Sequence, residues 1–221
     1  AGTAGMAGPA GTLGMMGMLE RRSCSHGMGE RVIERACLIA DEQGAQALTL
    51  SRLAADLGVA PPSLYKHVGG LDDVAHQVAM RATGSLADAL AAAVMGRSGR
   101  DALVAMARAY RAFAHDHPGL YSMAQGPTGD ADALGSAQAR RTVEVVTAAL
   151  VGYGLPDAKV VDAVRMIRAA LHGFVDIELR GGFAMSEPVE GSFQVLVDSL
   201  DAALTALGGE AIRPEPFPGP R

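Results

Sequence analysis

The sequence predicts an all-α protein, a three-helix N-terminal unit followed by a larger helical one, about nine helices in all. Three observations predict it. The apolar residues, 49% of 221, are chiefly Ala, Leu, Val and Met, with aromatics at only 4%, and Ala, Leu and Met are strong helix formers. Apolar residues recur at i, i+3, i+4 over long stretches, the period that puts them on one face of a helix. Period-two alternation of β-branched residues, the mark of a half-buried strand, is hard to find.

Residues 1–29 stand apart, with glycine every few positions and no apolar period. They read as a flexible tail. Methionines at 6, 15, 16, 18 and 28 leave the natural start open, and without a basic N-region no secretory signal is expected. From Glu30 the helical pattern begins: Val32, Ile33, Ala36, Cys37 and Ala40 form a stripe that stops at Gly44. Two short helices follow, then a long one from Asp72 to about Met95, with Val74, Val78, Leu86, Leu90 and Val94 facing inward. The GRSGR stretch at 96–100 breaks it, and a further helix runs from Asp101 to about Asp116. Pro118 suits the first turn of a short helix through Met123, because the N–H that proline lacks is unpaired there anyway.

Gly126-Pro127-Thr128-Gly129 reads as a loop. Asp130 is placed to cap a helix carrying Leu134, Val143, Val146 and Leu150 and ending near Gly152–Gly154. Asp157 is placed to cap a helix to about Arg180, ended by Gly181-Gly182. After Pro188 a last helix carries Phe193, Leu196, Val197, Leu200, Leu204 and Leu207 and is closed by Gly208-Gly209, before an extended RPEPFPGPR end. The expected units are a tail at 1–29, a helix-turn-helix domain at 30–83, a second domain at 84–208 and a tail at 209–221.

A net charge of −5 opposes general nucleic-acid binding, which depends on Lys and Arg meeting phosphates. Any such function must therefore come from a local pattern. Cys24 and Cys37 form no CxxC pair, and two cysteines make no disulfide scaffold, so a reducing cytoplasm is the default. No apolar run is long enough to span a membrane.

The informative local pattern is residues 49–68. Thr49 is a good N-cap for a short helix whose inward residues are Leu50, Leu53, Ala54 and Leu57. Gly58 can take positive φ and turn the chain, and Val59 seals the turn. Pro61 and Pro62 open a second helix, which tolerates them only in its first turn. Leu64 and Val68 face inward. Ser63, Tyr65, Lys66 and His67 are left outward, where a recognition helix meets base edges and phosphates. By spacing alone, a packed helical hairpin without DNA function fits equally.

The residue identities favour DNA binding. Leu53-Ala54, Leu57-Gly58-Val59 and Pro62-Ser63-Leu64-Tyr65-Lys66-His67-Val68 resemble the DNA-binding domain of the TetR family of repressors, and the match extends from Glu30 to Arg81. The resemblance implies DNA contacts at Thr49, Ser51 and Arg52, then at Pro61, Pro62, Ser63, Tyr65, Lys66 and His67. It departs at Gly70-Leu71-Asp72-Asp73, where members often carry a lysine, so one phosphate contact is expected to be missing. From Glu30 to Arg81 there are five basic residues against seven acidic ones.

The second half matches less closely. Leu171-His172-Gly173-Phe174 and His117-Pro118 resemble the subclass named for a Trp-His-Gly signature, with leucine in place of tryptophan. The resemblance implies a ligand cavity within the C-terminal helices and a homodimer through the last two, where charge at Phe193 or Leu200 should break the pairing. Cavity candidates are Met106, Tyr110, Phe113, Tyr121, Met123, Met166, His172 and Phe174; plain core packing is the alternative for each. For His172 that alternative is an interhelical hydrogen bond. His115-Asp116-His117 suggests a metal only superficially, because adjacent residues on a helix point to different faces.

The expected function is a cytoplasmic repressor that binds a palindromic double-stranded operator as a dimer and is released by a small, mainly apolar effector, with no cofactor, metal or catalytic residues. A constitutive or architectural DNA-binding protein is the alternative. An enzyme is disfavoured, since no nucleophile elbow, HExxH, Walker loop or dinucleotide fingerprint occurs.

Overall fold

The computed structural model describes residues 27–125 and 137–209. Among them are nine α-helices, two short 3-10 turns and no strand. The expected loop at Gly126–Gly129, the Asp130 cap, Leu134 and the RPEPFPGPR end lie outside the described residues.

The first three helices are α1 (Met28–Gln43), α2 (Leu50–Leu57) and α3 (Pro61–Leu64). α1 starts two residues before Glu30, where the helical pattern is expected to begin, so Met28 and Gly29 belong to a helix and not to a tail. This first turn has something to pack on: a Cβ on Gly29 would stand 3.4 Å from the His67 carbonyl oxygen. α1 buries Val32, Ile33, Ala36, Ile39 and Ala40, while Cys37 is only half-buried. These residues meet Leu53, Ala54, Leu64 and Val68 in one apolar cluster, the head of the molecule.

α4 (Leu71–Val94) leaves the head and enters the larger body. Val74 and Val78 sit in the head cluster, and Leu86 and Leu90 sit in the body cluster. One continuous helix is therefore part of both cores. The body adds α5 (Gly99–Asp116), α6 (Pro118–Gln125), α7 (Ala137–Leu150), α8 (Asp157–Leu179) and α9 (Val189–Gly209). Leu103, Met106, Ile167, Leu171, Val197 and Leu204 lie at its centre.

Several boundaries differ from expectation. Asp157 is the first helical residue of α8 and makes no cap; Pro156 holds the cap position. The Asp157 carboxylate still lies in the first turn, where it complements the helix dipole. α9 continues through Gly208 and Gly209, so Gly209 is helical and not tail. The largest correction concerns the last helix's apolar stripe. Phe193 and Leu200 are 2% and 5% exposed, inside the body's own core. The apolar residues that α8 and α9 leave open are others: Val161, Ile177 and Val195.

Head and body also meet directly, where α6 packs on α1. A Cβ on Gly119 would fall 1.8 Å from the Ala40 carbonyl oxygen, so only glycine permits this approach. Asp41, at the end of α1, holds the same seam. Its Oδ2 lies 2.7 Å from His117 Nδ1, and its Oδ1 accepts from the Leu120 backbone N–H at 3.3 Å. No helix among the described residues is long and apolar enough to cross a membrane.

Candidate nucleic-acid interface and sensor cavity

The head presents a polar edge built by two short helices. Thr49 caps α2, its Oγ1 accepting from the Arg52 backbone N–H at 3.2 Å. Gly58 takes φ 67°, ψ 31° after α2. The Val59 N–H reaches back to the Ala54 carbonyl at 2.9 Å, closing a Schellman-type turn. α3 is a single helical turn, and Tyr65, Lys66 and His67 form the turn after it. The His67 and Val68 N–H groups both bond the Leu64 carbonyl, at 2.8 and 3.0 Å, so the backbone keeps winding.

Leu64 and Val68 point into the head core as expected. Ser51, Pro61, Pro62, Lys66 and His67 are exposed, Ser63 is half-buried, and Tyr65 is 62% exposed. An aromatic ring left that open on a small domain has no packing role. Arg52 differs from its neighbours: its Nη1 donates to Gln43 Oε1 at 2.7 Å, and its Nε stands 3.9 Å from Asp56. The acidic pair at the start of α4 divides its work. Asp73 accepts from the Gly69 N–H at 2.7 Å and from Gln77 Nε2 at 3.0 Å, while Asp72 is exposed. The Gly69 bond, more than any other influence, holds the Asp73 carboxyl below its usual range. Asp73 therefore ties the segment that follows the Tyr65–His67 turn to α4, a task not evident from its charge alone.

The body encloses a cavity of about 370 Å³ between α4, α5, α6, α7 and α8. Of the eight candidate residues, Met106 and Tyr110 line it. The other six stand off its wall. Phe113 is in the body core, and Met166 packs against that core. Phe174 packs between Phe183 and Phe193, and Met123 against the head cluster. Tyr121 and His172 form a polar chain instead. Tyr110 Oη lies 3.3 Å from Tyr121 Oη, which lies 2.7 Å from His172 Nδ1. Burial pushes both phenols' pKa values upward, so both stay protonated. The wall also holds residues that sequence reasoning passed over: Met80, Thr83 and Thr142, with Arg165 and Arg168 from α8.

The two histidines of the His115-Asp116-His117 stretch diverge. His115 Nε2 lies 3.0 Å from Glu178 on α8, whereas His117 turns to Asp41 on α1. Arg111 binds the same Glu178 through two nitrogens, at 2.8 and 2.6 Å, and these bonds hold the Glu178 carboxyl below its ordinary value. Burial pushes the Cys37 thiol up to about 11, which leaves it an unreactive thiol at neutral pH.

An exposed helix-turn-helix edge on a helical body with an internal cavity defines a class: a DNA-binding transcriptional regulator. The comparisons agree. A family model described as tetracyclin repressor-like, C-terminal domain matches residues 103–200. Rv0681, an HTH-type transcriptional regulator of Mycobacterium tuberculosis, is 38% identical over 153 residues, covering 69% of this chain and 70% of that protein. YobS of Bacillus subtilis, described in the same way, is 31% identical over 159 residues, covering 72% of this chain and 82% of that protein. Among solved structures, BioQ with its double-stranded DNA operator is similar at TM-score 0.56 and 26% identity, covering 80% of this chain and 99% of that one. The chain belongs to the TetR family of transcriptional regulators, and its relatives are regulators of transcription, not enzymes.

Proposed function

We propose that the protein is a ligand-responsive repressor, a dimer that binds a palindromic operator and is released by a small, mainly apolar effector. Residues 30–83 are the DNA-binding domain and 84–208 the sensing and dimerising one, working in the cytoplasm. Tyr65, Lys66 and His67 meet phosphates and base edges together with Ser63, Pro61 and Pro62. Thr49, Ser51 and Arg52 approach from the start of α2. Arg52 must release Gln43 to do so. The open flanks of α8 and α9 pair the two copies, and a twofold dimer brings two recognition turns to half-sites roughly 34–36 Å apart.

The observation that carries this reading is α4. Its near end packs in the head core through Val74 and Val78, and its far end lines the cavity through Met80, Thr83, Leu86 and Leu90. Anything that fills the cavity pushes on a helix the head cannot ignore. A ligand loosens the operator complex only if it prefers the arrangement with mis-spaced recognition turns. The test is operator affinity, by gel shift or anisotropy, with and without a ligand that raises the melting temperature of the free protein. Release by at least about fivefold, or about 1 kcal/mol of coupling, is expected. Stabilising ligands that never change DNA affinity would replace this reading with constitutive DNA binding.

A further inference from the structure

Two positive charges stand on the wall of an otherwise uncharged, mainly apolar cavity. Arg165 and Arg168 are three apart on α8, so they share a face, and both line the cavity. Four other arginines of the body are neutralised, Arg100 by Asp198, Arg111 by Glu178 and Glu190, Arg141 by Asp88 and Arg180 by Asp176, whereas Arg97 and Arg108, also without an ion pair, stand away from the cavity. Arg165 and Arg168 make no ion pair among the described residues, and no Asp or Glu lines the described wall. The wall's other polar groups, Gln125, Tyr110 and three threonines, carry no charge, and two of the threonines are already engaged. Thr83 and Thr142 donate their hydroxyl protons to the Ala79 and Gln138 carbonyls, at 2.9 and 3.0 Å, and turn only lone pairs elsewhere.

We infer that the cavity takes an amphipathic monoanion, an apolar body bearing one carboxylate, with the carboxylate on Arg165 and Arg168 and the body against Leu86, Met106 and Leu171. This rests on the sensor reading above and narrows it. A planar guanidinium matches a carboxylate in geometry as well as charge. The apolar wall rewards removal of a hydrocarbon body from water. An ammonium ligand would meet two like charges at the mouth. A nucleotide or sugar phosphate would have to bury its sugar hydroxyls against Leu86, Met106 and Leu171, which offer them no hydrogen-bond partner. The volume of about 370 Å³ lies within the range of small-molecule sites, about 300–1,000 Å³.

Decanoate, decanamide and decylammonium share one body and differ in charge, so their binding to the full chain by calorimetry tests the inference. Decanoate should bind about tenfold or more tighter than decanamide, with decylammonium weakest. Arg165→Gln combined with Arg168→Gln should level decanoate with decanamide. Both side chains are exposed, so its melting temperature should hold. The matching double lysine variant should keep a preference for the anion. Equal binding of decanoate and decanamide to the unmodified protein overturns the inference, as does a preference that survives the double glutamine variant, or no binding by any of the three. Operator affinity is read separately in the same samples. Decanoate that binds with the expected preference and leaves the operator complex intact upholds the anion site and removes the release reading.

Discussion

In the head, nearly every large apolar side chain is spent on packing, and the outward residues of α2 and of the turn after α3 include Ser51, Lys66, His67 and the open ring of Tyr65. In the body, apolar side chains are in surplus: the helices leave a lined space, with Val161 on its wall, and Ile177 and Val195 open outside. The head is thus built to meet a polar partner at its surface. In the body, the proposed effector would enter the interior and the proposed second copy would lie along the flank. One chain serves both because α4 and the α1–α6 seam hold the two cores together.

The sharpest way to break this comparison is at α9. Leu200→Asp puts an unpaired charge in the body core and should cost more than about 4 kcal/mol, seen as loss of cooperative melting. Val195→Asp, five residues earlier and 65% exposed, should leave the melting temperature in place and yield monomers by ultracentrifugation. If Val195→Asp remains dimeric, the pairing surface lies elsewhere. Gly119→Ala acts on the seam. Its methyl would overlap the Ala40 carbonyl, so about 3 kcal/mol of destabilisation is expected, together with separate melting of head and body in calorimetry. A single unshifted transition would show the seam to be dispensable.

Weaker effects sharpen the head. Tyr65→Ala and Lys66→Ala should each weaken operator binding about tenfold at unchanged melting temperature, and Lys66→Ala should lower the salt slope by about one. Unchanged affinity in both variants removes them from the interface. Thr49→Ala removes the α2 cap and should cost about 1 kcal/mol of stability. The smallest effect belongs to the body. Arg111 and His115 hold Glu178 below its ordinary pKa, so the pair stabilises the fold above the unfolded carboxyl's pKa and is lost as pH falls through the folded one. Glu178→Gln should therefore lower stability slightly at neutral pH and flatten the acid limb of a pH–stability curve. An unchanged acid limb would show that other carboxylates control it.

The head was legible because each of its signals is local. Thr49, Gly58 and the two prolines state a cap, a turn and a helix start within a few residues, and Leu64 and Val68 need only a period to be placed inward. The cavity is assembled from five helices, and a helical period cannot tell a side chain that fills space from one that lines it. Phe113 and Met106 look alike in the sequence, yet only Met106 reaches the cavity. Arg165 and Arg168 carry no local signal that would set them on a cavity wall, which forms only when α4 and α7 are brought alongside. Phe193 and Leu200 were open to the same confusion, since a wide apolar stripe does not say which edge meets the chain's own core.

The Tyr110–Tyr121–His172 chain reaches the cavity wall at Tyr110 and can run in either direction. If the His172 proton is on Nε2, then Nδ1 accepts from Tyr121, Tyr121 accepts from Tyr110, and the Tyr110 oxygen offers lone pairs to a guest. If the proton is on Nδ1, every bond in the relay reverses and Tyr110 offers its O–H instead. The heavy atoms need not move. Were the cavity to take a ligand, Tyr110 would meet a hydroxyl or a carbonyl alike, the choice being made by one proton hopping between ring nitrogens on α8. Phe at position 121 would cut the relay and leave Tyr110 to greet either guest alone.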